Sequence, residues 1–185
     1  MKVLGGCGVA GCVGAVFAAL MVVGLIMVLV VMSGSSGGGG GPSAGPGEAP
    51  SSGSVRDIVR TQVGAYTLIG TAPLDQAPAG VVDSIVAQYS GPGGVRIGHV
   101  LLVYPSEAIA ADRVENVWNG SISKLKPGQK ISRGDLTTSS GVKVGTVVAL
   151  TGVNPDEFYW NNRKLAVIVT GPAPHAKAFA TSTPY

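Results

Sequence analysis

The chain has 185 residues, 13 basic and 10 acidic, with a formal net charge of +3 and a hydrophobic fraction of 45%. That length holds one compact domain with extensions, and the thin positive excess contains no Lys/Arg run of the kind that follows a phosphate backbone, which argues against nucleic acid as a partner. Both cysteines and all four methionines precede residue 33, so residues 55–185 contain neither and must build their core without disulfides, for which about 130 residues suffice.

Residues 1–8 are a short N-terminal piece, and residues 9–32 are the first expected element. No charged residue occurs from Val3 to Gly47, and Val13–Met32 is a run of 20 residues with nothing polar in it. As a helix rising 1.5 Å per residue it spans about 30 Å, the thickness of a bilayer's hydrocarbon core. Secretory apolar regions are shorter, about 7 to 15 residues. Lys2 and the terminal amine precede the run, and the next basic residue is Arg56. The bias of positive charge places the N-terminus in the cytoplasm and residues 33 onward outside. The expectation is a single-pass signal anchor in the plasma membrane, with the lipid bilayer as its partner. Cleavage among Ser33–Ser35 is the competing reading.

Val9–Cys12, "VAGC", resembles a bacterial lipobox, and Leu4–Cys7, "LGGC", resembles one less closely. In that pattern the apolar region precedes the cysteine. Here it follows, so lipidation of Cys12 would leave the anchor on the wrong side of the cut. Cys7 and Cys12 are read as small residues at the cytoplasmic interface, with thioacylation as the alternative. Gly6, Ala10, Gly14 and Ala18 recur every four residues, a spacing that lets two membrane helices approach closely and offers a route to homo-association. Residues 33–54 are rich in Gly, Ser and Pro. As a flexible linker they have an r.m.s. span of roughly 25 Å.

Residues 55–185 are the expected extracytoplasmic domain. Ser54 is a candidate N-cap for a helix carrying Val55, Ile58, Val59 and Val63. A strand is expected at 65–70, followed by strands at 81–89 and 95–104 around the turn "SGPGG". Ser106 caps a second helix with an apolar stripe of Ala110, Val114, Val117 and Trp118, ended by Asn119-Gly120. Strands follow at 130–136 and 142–151. "FYW" and "KLAVIVT" form a hairpin around Asn161-Asn162, and a short helix near 173–180 closes the domain. Several strands are apolar on both faces and so require cover on both sides. The expected fold class is α+β: a mostly antiparallel sheet of about six or seven strands covered by helices, α/β/α sandwich-like. The element order resembles that of PsbP/Mog1-like domains, a resemblance of architecture that implies no site residues.

Chemistry is sparse. Ser121 and Lys124 have the S-x-x-K spacing of serine acyl-transferring enzymes, but the companion motifs are absent and a strand-like stretch follows. His99 falls in line with Ile97 and Leu101 on a strand and reads as a core histidine satisfied by a neighbour, while His175 reads as exposed. Neither has a ligand-spaced Cys, Asp or Glu, and no cofactor or metal is called for. "GPGG" (91–94) is a turn, since no helix follows it. Asp156-Glu157 read as a solvated turn, Asp112 and Glu115 as an exposed helix face, and "SKLKPGQKISR" (Lys124, Lys126, Lys130, Arg133) as a solvated edge and loop, with a site for an anionic partner as the alternative. "NGS" at Asn119 is a glycosylation sequon. Phe158, Tyr159, Trp160 and Asn161 are the candidate contact group for an unknown protein or small ligand, because they are the densest aromatic cluster and adjoin a turn. Ordinary packing of both faces of that strand is the alternative.

The functional expectation is a membrane-anchored extracytoplasmic binding or protein-interaction module. The alternatives are a structural or accessory subunit of a cell-envelope complex, and an enzyme whose site spacing does not reveal.

Overall fold

A computed structural model describes residues 54–138 and 141–185. The expected membrane run at 9–32, its small-residue spacing, Cys7, Cys12 and the linker as far as residue 53 lie outside the described residues. Among the described residues, no helix is long and apolar enough to cross a membrane.

Ser54 caps a helical turn as its sequence suggests. Its hydroxyl accepts the Arg56 N–H, and the Asp57 carboxylate accepts the Ser54 N–H. The cap starts only one 3-10 turn, Val55–Ile58, and not the longer helix expected from the valine spacing. The rest of that stretch is drawn into the sheet: β1 (Gln62–Val63) pairs with β2 (Tyr66–Ala72). Valine is stiff at χ1 and gains more on a pleated surface than in a marginal helix.

The remaining elements follow as β3 (Asp83–Ser90), β4 (Arg96–Val103), α1 (Glu107–Ile122), β5 (Lys130–Thr137), β6 (Lys143–Thr151), β7 (Asp156–Asn162), β8 (Leu165–Gly171) and α2 (His175–Ser182). The strands form one eight-stranded sheet in the order β1-β2-β3-β4-β8-β7-β6-β5, with every neighbouring pair antiparallel. Two four-strand meanders thus meet at the β4–β8 seam, and the class is α+β. Eight strands exceed the seven segments expected by one, β1, which lies in the stretch whose valine spacing suggests a helix.

Register sorts the side chains into two faces, since successive residues of a strand point to opposite sides. One row runs Ala87–His99–Val169–Phe158–Ala149, and the next, on the opposite face, runs Val86–Val100–Ile168–Tyr159–Val148. The first face joins the 3-10 turn and α2 in one core through Val55, Ala176 and Phe179. Helix α1 lies against β5, β6, β7 and β8 and buries Ala110 and Val114.

Two boundaries differ from the sequence reading. Helix α1 does not stop at Asn119-Gly120 but runs to Ile122. A glycine ends a helix by taking a left-handed conformation, and Gly120 is not among the residues with positive φ. The β7–β8 turn is Arg163-Lys164 rather than Asn161-Asn162, since Asn162 pairs with Leu165. Arg163 adopts φ 52°, as a two-residue hairpin turn demands. Asn161 has other work: its Oδ1 accepts the Thr146 N–H at 3.0 Å, just where the β6–β7 ladder ends at Val147–Trp160. A side chain on Gly145 would overlap the Asn161 carbonyl oxygen, so the close approach of the two strands requires glycine there.

Strands β4 and β5 are four antiparallel steps apart and therefore run in the same direction. Both begin at one end of the sheet, and α1 carries the chain back from the far end of β4 to the start of β5. Ser54 enters at the far end: its hydroxyl and the Val55 N–H both donate to Asp83 Oδ2, at 3.2 and 2.8 Å, and Asp83 pairs with Val103.

Candidate functional site

The structure places Phe158, Tyr159, Trp160 and Asn161 on β7, between β6 and β8. All four are buried, with 8%, 3%, 4% and 4% of their surface exposed. Phe158 and Trp160 belong to the core shared with α2, and the Trp160 Nε1–H donates to the Tyr185 carbonyl at 2.9 Å. Tyr159 points to the opposite face and donates its hydroxyl to the Glu157 carboxylate. Burial, and then the adjacent Glu157 charge, raise its pKa well above the usual tyrosine value. The four are thus held by packing on both faces of β7, and a contact role would require the strand to be uncovered.

His99 is fully buried. Its ring lies 5.3 Å from Phe179, 5.9 Å from Tyr89 and 5.9 Å from Tyr185, nearly parallel to the last. Neither imidazole nitrogen has a hydrogen-bond partner, and neither does the Tyr185 hydroxyl. Desolvation pushes the histidine's pKa down to about 3, so the ring is neutral at physiological pH. The alternation along β4 predicts His99 in the core, as found, but the hydrogen-bonding neighbour expected to satisfy it is replaced by aromatic rings. Phe179 comes from α2 and Tyr185 from beyond it, so only the tertiary fold brings them to His99.

The other residues singled out by spacing do not converge. Ser121 lies in the last turn of α1, and its carbonyl accepts the Lys124 N–H at 2.9 Å, closing the helix end. His175 is half-buried, with Nδ1 3.2 Å from the Tyr66 hydroxyl, which also donates to the His175 carbonyl. Glu115 pairs with Arg133 at 2.9 Å, both partly exposed. The pair Asp156-Glu157, expected in a solvated turn, instead opens β7: Asp156 is buried and accepts the Gly152 N–H at 3.1 Å. Asn119 is exposed on α1. Among the described residues, no group of three or more His, Cys, Asp or Glu could hold a metal ion.

A different feature emerges at the ends of the sheet. Arg96 opens β4 and Lys130 opens β5, and Lys124 and Lys126 lie on the loop between α1 and β5. Arg60 stands at the same end, since its carbonyl accepts the Tyr89 hydroxyl at 2.8 Å and Tyr89 pairs with Ile97. Among the described residues, the carboxylates at this end are Asp156 and Glu157, which accept the Gly152 N–H and the Tyr159 hydroxyl. At the far end Arg56, Lys143, Arg163 and Lys164 are balanced by Asp57, Asp75, Asp83, Glu107 and Asp135, with Lys143 paired to Asp135 at 2.7 Å.

No family model, curated protein or solved structure matches this chain. The reading of function therefore rests on geometry and charge. Ile122, 50% exposed, and Leu125, 36% exposed, sit among the lysines of the basic end.

Proposed function

We propose that the chain is a membrane-anchored extracytoplasmic binding or protein-interaction module. Residues 9–32 are the signal anchor of a single-pass protein of the plasma membrane, residues 33–54 the tether, and residues 55–185 an α/β/α sandwich-like domain outside the cytoplasm. The supporting observation is the segregation of charge along the sheet. The basic end lies opposite the point where the tether enters at Ser54, so the domain offers a distinct surface at a distance from its attachment. A charge-free apolar run long enough to span a bilayer supports the anchor.

Protease added to intact cells is expected to remove the domain and leave a small membrane-held stub. Recovery of a mature protein that begins between residues 33 and 36 and is free of the membrane would overturn the anchor.

A further inference from the structure

We propose that the domain docks onto an anionic lipid surface through its basic end, with Ile122 and Leu125 entering the headgroup layer and the surrounding cations facing lipid phosphates. This rests on the reading that residues 9–32 hold the chain in a bilayer, and it names the surface that the tethered module binds.

Ile122 and Leu125 are half-exposed aliphatic side chains, and Lys124 and Lys126 alternate with them along "ISKLK". Apolar groups that enter the acyl boundary beside long cationic stems that reach phosphates are the composition of interfacial segments.

The shape of the charge favours a plane over a small anion. Arg96 and Lys130 open strands four neighbours apart, which at about 4.8 Å per strand separates them by roughly 19 Å. One phosphate engages one or two of these cations, whereas a flat anionic surface engages the whole row. Among the described residues two carboxylates stand at this end, Asp156 and Glu157, and the five cations Arg60, Arg96, Lys124, Lys126 and Lys130 outnumber them. The opposite end also exposes aliphatic side chains, Val82 and Val142, but there Asp57, Asp75, Asp83, Glu107 and Asp135 outnumber Arg56, Lys143, Arg163 and Lys164, so that end carries no net attraction to anionic lipid.

Reach is compatible. An eight-residue strand is about 27 Å long, so a domain standing on its basic end holds Ser54 at about that height. Residues 33–53 extend to at most about 75 Å and have an r.m.s. span of roughly 25 Å. The attachment point therefore lies within easy reach of the bilayer.

The test uses the full chain, with Cys7 and Cys12 replaced by serine, incorporated into lipid nanodiscs. An environment-sensitive fluorophore is placed on Ser123→Cys, and in a parallel sample on Val142→Cys at the opposite end. Discs are made of phosphatidylcholine alone or with a third of phosphatidylglycerol. The expected result is a blue shift at position 123 in anionic discs only, and none at position 142. A lysine near an anionic surface contributes roughly fivefold to binding, so Lys124→Glu/Lys126→Glu should reduce the docking equilibrium constant, the ratio of docked to undocked domain, by more than tenfold. Ile122→Asp/Leu125→Asp should abolish the shift, with the melting temperature of each variant unchanged. Equal shifts in neutral and anionic discs, a shift at position 142 alone, a shift that requires two copies per disc, or no shift would each overturn the proposal. Failure of the chain to enter discs would overturn the anchor itself, a distinguishable outcome.

Discussion

At the scale of single residues, His99 is the most exacting group in the domain. A buried polar atom without a partner costs about 1–3 kcal/mol, and both imidazole nitrogens are in that position. The groups that face it are aromatic rings: Tyr89 on the adjacent strand, Phe179 on α2 and Tyr185 beyond it. None of them ionises below neutral pH. With the folded pKa near 3 and an unfolded value near 6.5, the unfolded chain binds the extra proton between those limits. Stability is therefore complete above about pH 6.5 and declines as pH falls toward 3. His99→Phe removes both the unmatched nitrogens and the titration. It should match or exceed the parent's stability at pH 7, by about 1 kcal/mol, and should flatten the decline between pH 6.5 and 4. Thermal melts across that range check it, and a variant whose profile runs parallel to the parent's would show that the imidazole does not carry the pH dependence.

At the scale of elements, β7 separates the two readings of its aromatic group. If Tyr159 and Asn161 are contact residues, truncating them leaves stability nearly intact. Their burial predicts otherwise. Asn161→Ala strands the Thr146 N–H that its Oδ1 satisfies and should cost about 1–3 kcal/mol. Tyr159→Ala empties a buried aromatic site and should cost about 3–5 kcal/mol. Gly145→Ala should also destabilise, because the new methyl meets the Asn161 backbone. Chemical denaturation of the three variants reads all of these, and unchanged midpoints would return Tyr159 and Asn161 to the surface. The same strand shows what sequence could and could not convey. The apolar runs that became β3, β4, β6 and β8 were legible because hydrophobic continuity and turn residues agree. The Asn161-Asn162 pair misled because asparagine is a strong turn former, and nothing local reveals that one amide closes a gap between β6 and β7. Val55–Val63 misled because its spacing suits a helix while its β-branched residues suit a strand, and pairing with β2 decided the outcome. The basic end was visible as "SKLKPGQKISR" only in part. Arg60 and Arg96 join it through the parallel directions of β4 and β5, which depend on the whole strand order.

At the scale of the whole domain, the first described residues and the last belong to one core. Val55, 1% exposed, packs in the same cluster as Phe179, with Ile58, Val59 and Tyr185 against it. Ser54 and Val55 are also tied to Asp83, so the fold closes at Ser54 with little slack. A chain of residues 54–185 should therefore fold on its own with a single cooperative thermal transition. It contains no cysteine, so reductant should leave that transition unchanged. A chain begun at Thr61 loses Val55 and the partly buried Ile58 and Val59. Burying a valine or isoleucine side chain stabilises by about 1.5–3 kcal/mol, so this chain should lose on the order of 3 kcal/mol or more, much of the stability of a small domain. Melting curves of the two chains, with and without reductant, distinguish the outcomes. If the Thr61 chain melts with the longer one, the 3-10 turn is an ornament on the surface and the boundary lies further in. If the 54–185 chain aggregates or melts without cooperativity, its core is completed by something beyond those residues, and the subunit-of-a-complex reading gains over that of a self-sufficient module.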